Sequence, residues 1–156
     1  MTKKFLIYIS AVSVGAFLID RFIKEYVVRT LAPGEKMLGW RYFGIELYRN
    51  TGIAFSLPAP HWGVLIVSGI IIALVGAFAI HAYRLKHFGI AGLCCVLFLG
   101  ALGNFIDRLF HKITIDYIRI WHGVFNLSDG MILLAIVMMF WPIRRAMDNE
   151  NNQTKS

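Results

Sequence analysis

The chain has 156 residues, of which 58% are hydrophobic and 16% charged, and its mean hydropathy is +0.63. A soluble domain of this size would expose enough apolar surface to aggregate, so the composition excludes that class and indicates a one-domain integral membrane protein. The net charge of +7 does not indicate a nucleic-acid partner, because the basic residues flank apolar segments, as topology and headgroup signals do.

The first predicted span covers about residues 4–27. Two lysines and an apolar run resemble the start of a signal peptide, but no small-residue cleavage site follows, so we expect an uncleaved helix. Its distal end carries two pairs four residues apart, Asp20 with Lys24 and Arg21 with Glu25, which can meet on a helix face. We expect the second pair at a solvated helix end and Asp20 below the lipid headgroups.

The connection over residues 29–60 is polar enough to leave the membrane. Its segment 40–48 alternates aromatic and β-branched residues with others and lies between Pro-Gly and Asn-Thr-Gly turn signals, which is typical of a strand. We therefore expect a small sheet, a β cradle, at the membrane surface. Segment 49–56 is predicted to turn the chain back toward the lipid.

Three further spans are predicted at about residues 61–83, 88–106 and 124–143. The third span carries small residues along one helix face, which predicts close helix packing at Gly89, Gly92, Val96, Gly100 and Gly103. Asp107 extends that face by one turn, so its carboxylate is expected inside the bundle.

The fourth span reaches about 20 residues only if it starts near Val124, which draws Asn126 and Asp129 to its mouth. The single domain is expected to end at residue 147, and the polar tail over residues 148–156 is predicted to be disordered.

Four spans place both termini on one side of the membrane. The basic residues on that side lie in very short segments beside the spans, so the positive-inside rule favours cytoplasmic termini. In either orientation, polar residues at four segment ends converge on one membrane face. They are Asp20, Lys24, Asn50, Asn104, Asp107, Arg108, Asn126 and Asp129.

Two chemistries at this face have weak support. Ser128 beside Asp129 could form a triad with His122 or His111, but no nucleophile motif surrounds it. Metal-ligand types are also present at His111, Asp116, His122 and Asp129, but they lack the tight spacing of a metal-binding helix, so we expect neither metal nor cofactor.

A pair of aspartates suits another mechanism. Two carboxylates in a dry site cannot both stay ionised, so one can activate a water while the other donates a proton to a carbonyl oxygen. The aspartates could instead pair with basic residues and hold the helices together. That structural role is favoured for Asp107, whereas spacing does not decide between the two roles for Asp116 and Asp129.

Five short motifs occur in a fixed order over nearly the whole chain. They are Asp20 with Lys24, Asn50-Thr-Gly-Ile-Ala-Phe55, Gly100-Ala-Leu-Gly-Asn-Phe-Ile-Asp-Arg108, Ile115-Asp116-Tyr117 and Phe125-Asn126-Leu-Ser-Asp129. In this combination the sequence resembles lipoprotein signal peptidase, the type II signal peptidase of bacteria. The resemblance implies an all-α membrane protein of four transmembrane helices with a small β cradle in the first extracytoplasmic connection.

The resemblance also implies roles for individual residues. Asp116 and Asp129 become the catalytic pair of an aspartic endopeptidase. The supporting and substrate-binding residues are Asn50, Gly52, Asn104, Asp107, Arg108, Asn126, Asp20 and Lys24. The sequence departs from the family's usual residues at Arg21, Ser128 and Gly130, where Gln, Ala and Ser or Ala are typical.

The implied substrate is a prolipoprotein whose signal peptide ends at a cysteine that carries diacylglycerol. Cleavage falls just before that cysteine, in the bacterial inner membrane, with both termini cytoplasmic and the site near the extracytoplasmic face. The expected partners are this substrate and membrane lipids, without nucleic acid, and the protein is expected to be a monomer. The alternatives are an inactive relative that binds lipoprotein precursors and a small ion-binding membrane carrier.

Overall fold

A bundle of helices carries a small sheet at one end. The computed structural model describes residues 1–40, 42–52 and 60–153, with side chains as far as Phe140. The elements are α1 (Lys3–Thr30), β1 (Lys36–Gly39), β2 (Phe43–Asn50), α2 (His61–Arg84), α3 (Phe88–His111), β3 (Thr114–Ile120), β4 (Gly123–Phe125) and α4 (Leu127–Gln153). The predicted fold class, a mostly helical membrane protein with a small sheet, is confirmed.

In the described part of the chain, α1, α2 and α3 are long and apolar enough to cross a membrane. The 24 residues of α2 give a length of about 36 Å at about 1.5 Å per residue, which exceeds the hydrocarbon core of a bilayer, about 30 Å. The apolar stretch within the described side chains of α4 is shorter and runs over Leu127–Phe140.

Helix α3 lies at the centre and packs against each of the other three helices. The predicted small-residue face is confirmed, because all five of its residues are buried. A Cβ atom at Gly100 would lie 2.8 Å from the backbone oxygen of Ser128, and one at Gly103 would lie 2.3 Å from the Ser128 hydroxyl oxygen. These glycines therefore let the first turn of α4 approach the backbone of α3.

This close approach predicts that Gly100→Ala destabilises the protein. The new methyl group would meet a backbone oxygen and the side chains of Met131 and Ile132 at 3.1 Å, so α4 must shift, at a cost of about 1–3 kcal/mol. Thermal unfolding in detergent measures the effect. Gly15→Ala is the matched control, because nothing lies within 4 Å of its added Cβ; equal melting temperatures for the two variants would contradict the close contact.

The sheet has the strand order β1-β2-β3-β4, and all three neighbouring pairs are antiparallel. Its first two strands come from the connection after α1 and its last two from the connection after α3. The prediction that the cradle forms from residues 29–60 was therefore incomplete, since half of the sheet lies between α3 and α4. The register pairs Tyr48 with Asp116 and Asn50 with Thr114, which brings the end of β2 beside the start of β3.

Three predicted boundaries differ from the structure. Helix α3 continues to His111 instead of ending near residue 106. Helix α4 begins at Leu127 and not near Val124, because Gly123–Phe125 pairs with β3. The backbone stays helical to Gln153, so the tail predicted to be disordered from residue 148 begins as helix.

The last three residues of that tail, 154–156, lie outside the described residues. Residues 53–59 also lie outside them, and this range includes the second half of the turn predicted over residues 49–56.

Buried apolar side chains join the sheet to the helices. Val27 of α1, Leu47 of β2 and Ile115 and Tyr117 of β3 form one cluster. Because each of these side chains is at most 3% exposed, the cluster fixes β3 against α1. The strand that carries Asp116 is thus anchored to the helix that carries Asp20.

Candidate active site

The polar residues predicted to converge do so at the end of the bundle that carries the sheet. Asn126, the residue just before α4, holds both Asp116 and Asp129. Its side-chain Nδ2 donates to Oδ1 of Asp116 at 2.6 Å, and its Oδ1 accepts from the backbone N–H of Asp129 at 2.9 Å. Its own backbone N–H donates to Oδ2 of Asp129 at 3.2 Å.

The reciprocal contacts between Asn126 and Asp129 form a capping box at the N-terminus of α4. The Asp129 carboxylate is therefore fixed by the helix start itself. The helix dipole also places partial positive charge at this end. Because Asn126 also bonds Asp116, one residue sets the relative position of the two carboxylates.

Two further asparagines engage the remaining carboxylate oxygens. Asn50 Nδ2 donates to Oδ2 of Asp116 at 3.1 Å, and Asn104 Nδ2 donates to Oδ1 of Asp129 at 2.7 Å. Each carboxylate thus accepts a hydrogen bond at both oxygens. Asp116 is 1% exposed, and Asp129 is partly exposed at the first turn of α4.

The electrostatic environment of Asp116 disfavours its charged form. Burial and then the negative charge of Asp129 raise the pKa of Asp116 to about 7, while hydrogen bonds from Asn50 and Asn126 act in the opposite direction. A carboxyl group with this pKa is partly protonated at neutral pH. The site therefore contains an aspartate that can donate a proton beside a second aspartate.

Lys24 is the centre of a buried ionic cluster behind these carboxylates. Its ammonium Nζ lies 3.0 Å from Oδ2 of Asp20 and 2.7 Å from Oδ2 of Asp107, and all three side chains are fully buried. It also donates to Oδ1 of Asn104 at 3.1 Å. The predicted Asp20–Lys24 pair is confirmed, and through Asn104 the cluster reaches Asp129.

Asp107 is buried inside the bundle, as predicted. Its partners are Lys24, the guanidinium of Arg21 and the backbone N–H of Ile115, which donates at 3.3 Å. The prediction that Arg21 lies with Glu25 at a solvated helix end was wrong, because Arg21 bonds Asp107 and Glu25 pairs with Arg29. The ionic cluster therefore includes one more cation than the sequence indicated.

Arg108 lies at the edge of the site beside the chain that follows β2. Its guanidinium donates to the backbone oxygen of Gly52 at 3.4 Å, and the Gly52 N–H donates to Oδ1 of Asn50 at 3.0 Å. A small cavity at this position is lined by Asn50, Thr51, Gly52, His61, Val64, Arg108, Lys112 and Ile113.

The contacts do not form the serine triad considered above. Ser128 is fully buried and its hydroxyl donates to Oδ2 of Asp20 at 2.8 Å, whereas His111 and His122 are exposed. Among the described residues, no three His, Cys, Asp or Glu side chains are grouped so that they could hold a metal ion.

Sequence reasoning did not predict the contacts that three residues make at this site: Arg21, Tyr117 and Ser128. The Tyr117 hydroxyl donates to Oδ1 of Asp20 at 3.0 Å, which links β3 to α1. The available signal was a hydroxyl-bearing aromatic residue directly after an aspartate, with an isoleucine on either side of the two. The Asn-x-x-Asp spacing of Asn126 and Asp129 likewise indicated a helix start, since an N-cap residue and its partner lie three residues apart.

Known proteins resemble this chain in sequence and in fold. The lipoprotein signal peptidase of Azoarcus sp. is 30% identical over 137 residues, which cover 82% of this chain and 77% of the relative. The lipoprotein signal peptidase of Syntrophomonas wolfei is 33% identical, with coverage of 80% and 91%. A bacterial membrane enzyme solved by the in meso method at 2.3 Å resolution has the same fold, with a TM-score of 0.78, 20% identity and coverage of 94% and 92%.

The sequence model of the family described as Signal peptidase (SPase) II matches residues 12–144. The match spans most of the chain and contains every candidate site residue discussed above, from Asp20 to Asp129. The chain therefore belongs to the signal peptidase II family.

Proposed function

We propose that this protein is an aspartic endopeptidase of the bacterial inner membrane that removes signal peptides from prolipoproteins, cutting just before a cysteine that carries diacylglycerol. Its membership of the signal peptidase II family supports the class of substrate. The observation that carries the aspartic mechanism is the pair Asp116 and Asp129, held by the single residue Asn126. Asp116 is the proposed protonated member of that pair, because its pKa is raised to about 7.

In the proposed reaction Asp129 accepts a proton from a water molecule as that water attacks the scissile carbonyl carbon. Asp116 donates its proton to the carbonyl oxygen, so that a neutral tetrahedral diol forms. The proton on Asp129 then passes to the leaving nitrogen while Asp116 recovers a proton from the collapsing diol. The carbon–nitrogen bond breaks, and both carboxylates return to their starting states.

The remaining site residues have proposed supporting roles. Asn50, Asn104 and Asn126 orient the carboxylates and present amide groups to the substrate backbone. Arg108 and Gly52 shape the mouth of the site. Asp20, Lys24 and Asp107 hold α1 and α3 behind it.

An apolar groove between α2 and α3 is consistent with the proposal that the substrate carries a lipid. Its lining residues are Trp62, Leu65, Ile66, Gly69, Ile70, Ala73, Phe105 and Leu109. Phe105 directly follows Asn104, and Leu109 directly follows Arg108, so the groove begins beside the site. In the proposed complex the apolar part of the substrate lies along this surface while the scissile bond reaches the aspartates.

The proposed topology rests on the positions of the basic residues beside the spans. Both termini are cytoplasmic, the sheet and the aspartates lie near the extracytoplasmic face, and the protein acts as a monomer among membrane lipids. In this orientation the short basic segments beside the spans lie inside.

The test is cleavage of a diacylglyceryl-modified prolipoprotein by the purified protein, with the product mapped by mass spectrometry. We expect a cut just before the lipidated cysteine and a kcat/KM that falls as pH rises above about 7, because Asp116 then loses the proton it must donate. A precursor with serine in place of that cysteine is the matched control. Equal cleavage of both precursors would overturn the lipid specificity, and a rate that stays constant from pH 6 to 9 would overturn the role of Asp116.

A further inference from the structure

The two hairpin turns of the sheet contact each other at the end of the strands opposite the candidate active site. The β1–β2 turn contains Trp40 and Tyr42, and the β3–β4 turn contains Trp121. The backbone N–H of Trp121 donates to the backbone oxygen of Tyr42 at 2.7 Å, and the centres of their rings lie 5.9 Å apart. The 8 residues of β2 lead from these turns to Asn50 at the site, a length of about 25 Å at about 3.3 Å per residue.

Exposed apolar side chains cover this end of the sheet. Trp40 is 83% exposed and Trp121 is 64% exposed. Phe43 and Ile120 are partners in the register of β2 and β3, so their exposed side chains lie side by side on one face. Together these residues form the tip patch, whose members are Leu38, Trp40, Tyr42, Phe43, Ile120 and Trp121. An exposed apolar patch of this kind marks a surface that contacts another protein or a membrane.

The half of the sheet that carries the tip patch is amphipathic. Behind Phe43 and Ile120, the next row on the same face is also apolar. It consists of Leu38, Ile45, Ile118 and Phe125. The opposite face carries the ion pair of Glu46 and Arg119. Because side chains alternate across a strand, the apolar face can meet lipid while the ion pair stays on the other side of the sheet.

Aromatic side chains on the helices mark a lipid interface at the same end of the bundle. Trp62 in the first turn of α2 is 74% exposed, and Tyr26 near the end of α1 is also exposed. Tryptophan and tyrosine are enriched where headgroups meet acyl chains. The start of α2 lies beside the sheet, since His61 and Asn50 line the same cavity. The sheet therefore begins at the level of this interface, and the tip patch continues the lipid-facing surface of the helices.

We propose that the tip patch inserts into the boundary between the headgroups and the acyl chains of the membrane that the helices span. The indole and phenol groups of the patch combine an apolar body with a hydrogen-bonding group, which suits this boundary better than water. Trp121 has a φ of 54°, a conformation that is uncommon for a bulky residue and that persists where the position has a role. This inference goes beyond the proposed peptidase activity and does not depend on it.

Insertion of the patch would give the sheet a second attachment to the membrane. The first attachment is covalent, through α1 and α3. Strands β2 and β3 run from the tip patch to Asn50 and Asp116, so an anchored tip fixes the tilt of the whole sheet relative to the lipid. The position of Asp116 relative to the membrane surface then depends on both ends of the strands.

Tryptophan fluorescence in lipid nanodiscs tests the proposal, because both membrane faces are open to solvent there. The chain has 4 tryptophans, at positions 40, 62, 121 and 141. Changing the others to phenylalanine leaves Trp40, Trp121 or Trp62 as the only fluorophore in the full chain. Each protein is placed in phosphatidylcholine–phosphatidylglycerol nanodiscs, with or without bromine on the acyl chains near the headgroups. Iodide serves as the quencher in the aqueous phase.

Trp62 is the reference for lipid contact, and free N-acetyltryptophanamide is the reference for full exposure to water. We expect brominated acyl chains to quench Trp40 and Trp121 by at least about half as much as they quench Trp62. Iodide should quench both residues several-fold less than it quenches the free indole. If a protein with a single tryptophan does not fold, Trp40→Phe and Trp121→Phe in the wild-type background still decide. Each should then reduce the part of the total fluorescence that the brominated lipid quenches.

Two results would overturn the proposal. Iodide quenching of Trp40 and Trp121 equal to that of the free indole, without quenching by brominated lipid, would place the patch in water. Protection from both quenchers would show that protein covers the patch, and cross-linking would then identify a second copy of the chain. Neither result bears on the proposed peptidase, because the measurement requires no cleavage; loss of activity in Asp116→Asn tests that function separately.

Discussion

Asp116→Asn and Asp129→Asn should each lower kcat for cleavage of a diacylglyceryl-modified prolipoprotein by about 100- to 10,000-fold, the range expected when a general acid or base is removed. An asparagine at position 116 keeps the size of the side chain and removes the transferable proton. An asparagine at position 129 removes the carboxylate that would accept a proton from water. Single-turnover measurements at equal amounts of folded protein give the change in the chemical step.

Asp116→Asn should also change how pH affects stability. The pKa of Asp116 is raised to about 7 in the folded protein, so the folded state holds a proton that the unfolded state has already lost. Stability of the wild type therefore decreases as pH rises from about 4 toward 7, and Asp116→Asn should remove that part of the slope. Variants that stay folded yet cleave at the wild-type rate would show that these aspartates are structural.

Lys24→Met should cause the largest loss of stability among single changes in the described helices. Methionine keeps the length of the side chain but leaves the carboxylates of Asp20 and Asp107 buried without their shared cation. Breaking a buried ion pair from one side costs about 3–5 kcal/mol. We expect a much lower melting temperature in detergent and little purified monomer.

The same helix provides a matched control. Arg29 and Glu25 are also four residues apart, but their side chains are 75% and 56% exposed. Arg29→Met should stay within about 0.5 kcal/mol of wild type, because exposed pairs contribute little. Similar melting temperatures for Lys24→Met and Arg29→Met would contradict the interior position of the Lys24 ammonium.

Local patterns predicted the helices and some contacts within the site. Hydropathy predicted the apolar helices. Helical spacing predicted that Asp20 lies beside Lys24, and the face of small residues predicted that Asp107 lies inside the bundle. These predictions need information from only a few neighbouring residues. The family resemblance supplied the pairing of Asp116 with Asp129, which spacing left open.

Long-range contacts could not be derived in this way. Arg21 bonds Asp107 across 86 positions of the chain, and Asn50 bonds Asp116 across 66. Nothing local to Arg21 distinguishes a buried pair with α3 from an exposed pair with Glu25. Strands β3 and β4 were likewise missed, because short strands gain their stability from a partner strand that the local sequence does not specify.

The divided sheet has a consequence for biogenesis. Strands β1 and β2 leave the ribosome long before β3 and β4, and a two-stranded hairpin alone is marginally stable in water. At about 5–20 residues per second, the 63 residues between Asn50 at the end of β2 and Thr114 at the start of β3 take several seconds to synthesise, and β2 keeps an unpaired edge during that time. Asp116 meets Asn50 only when β3 pairs with β2, and Asp129 follows still later in the chain. The nascent protein therefore inserts its first helices without a complete pair of carboxylates, and the pair is complete only after β3, β4 and the first turn of α4 have been made.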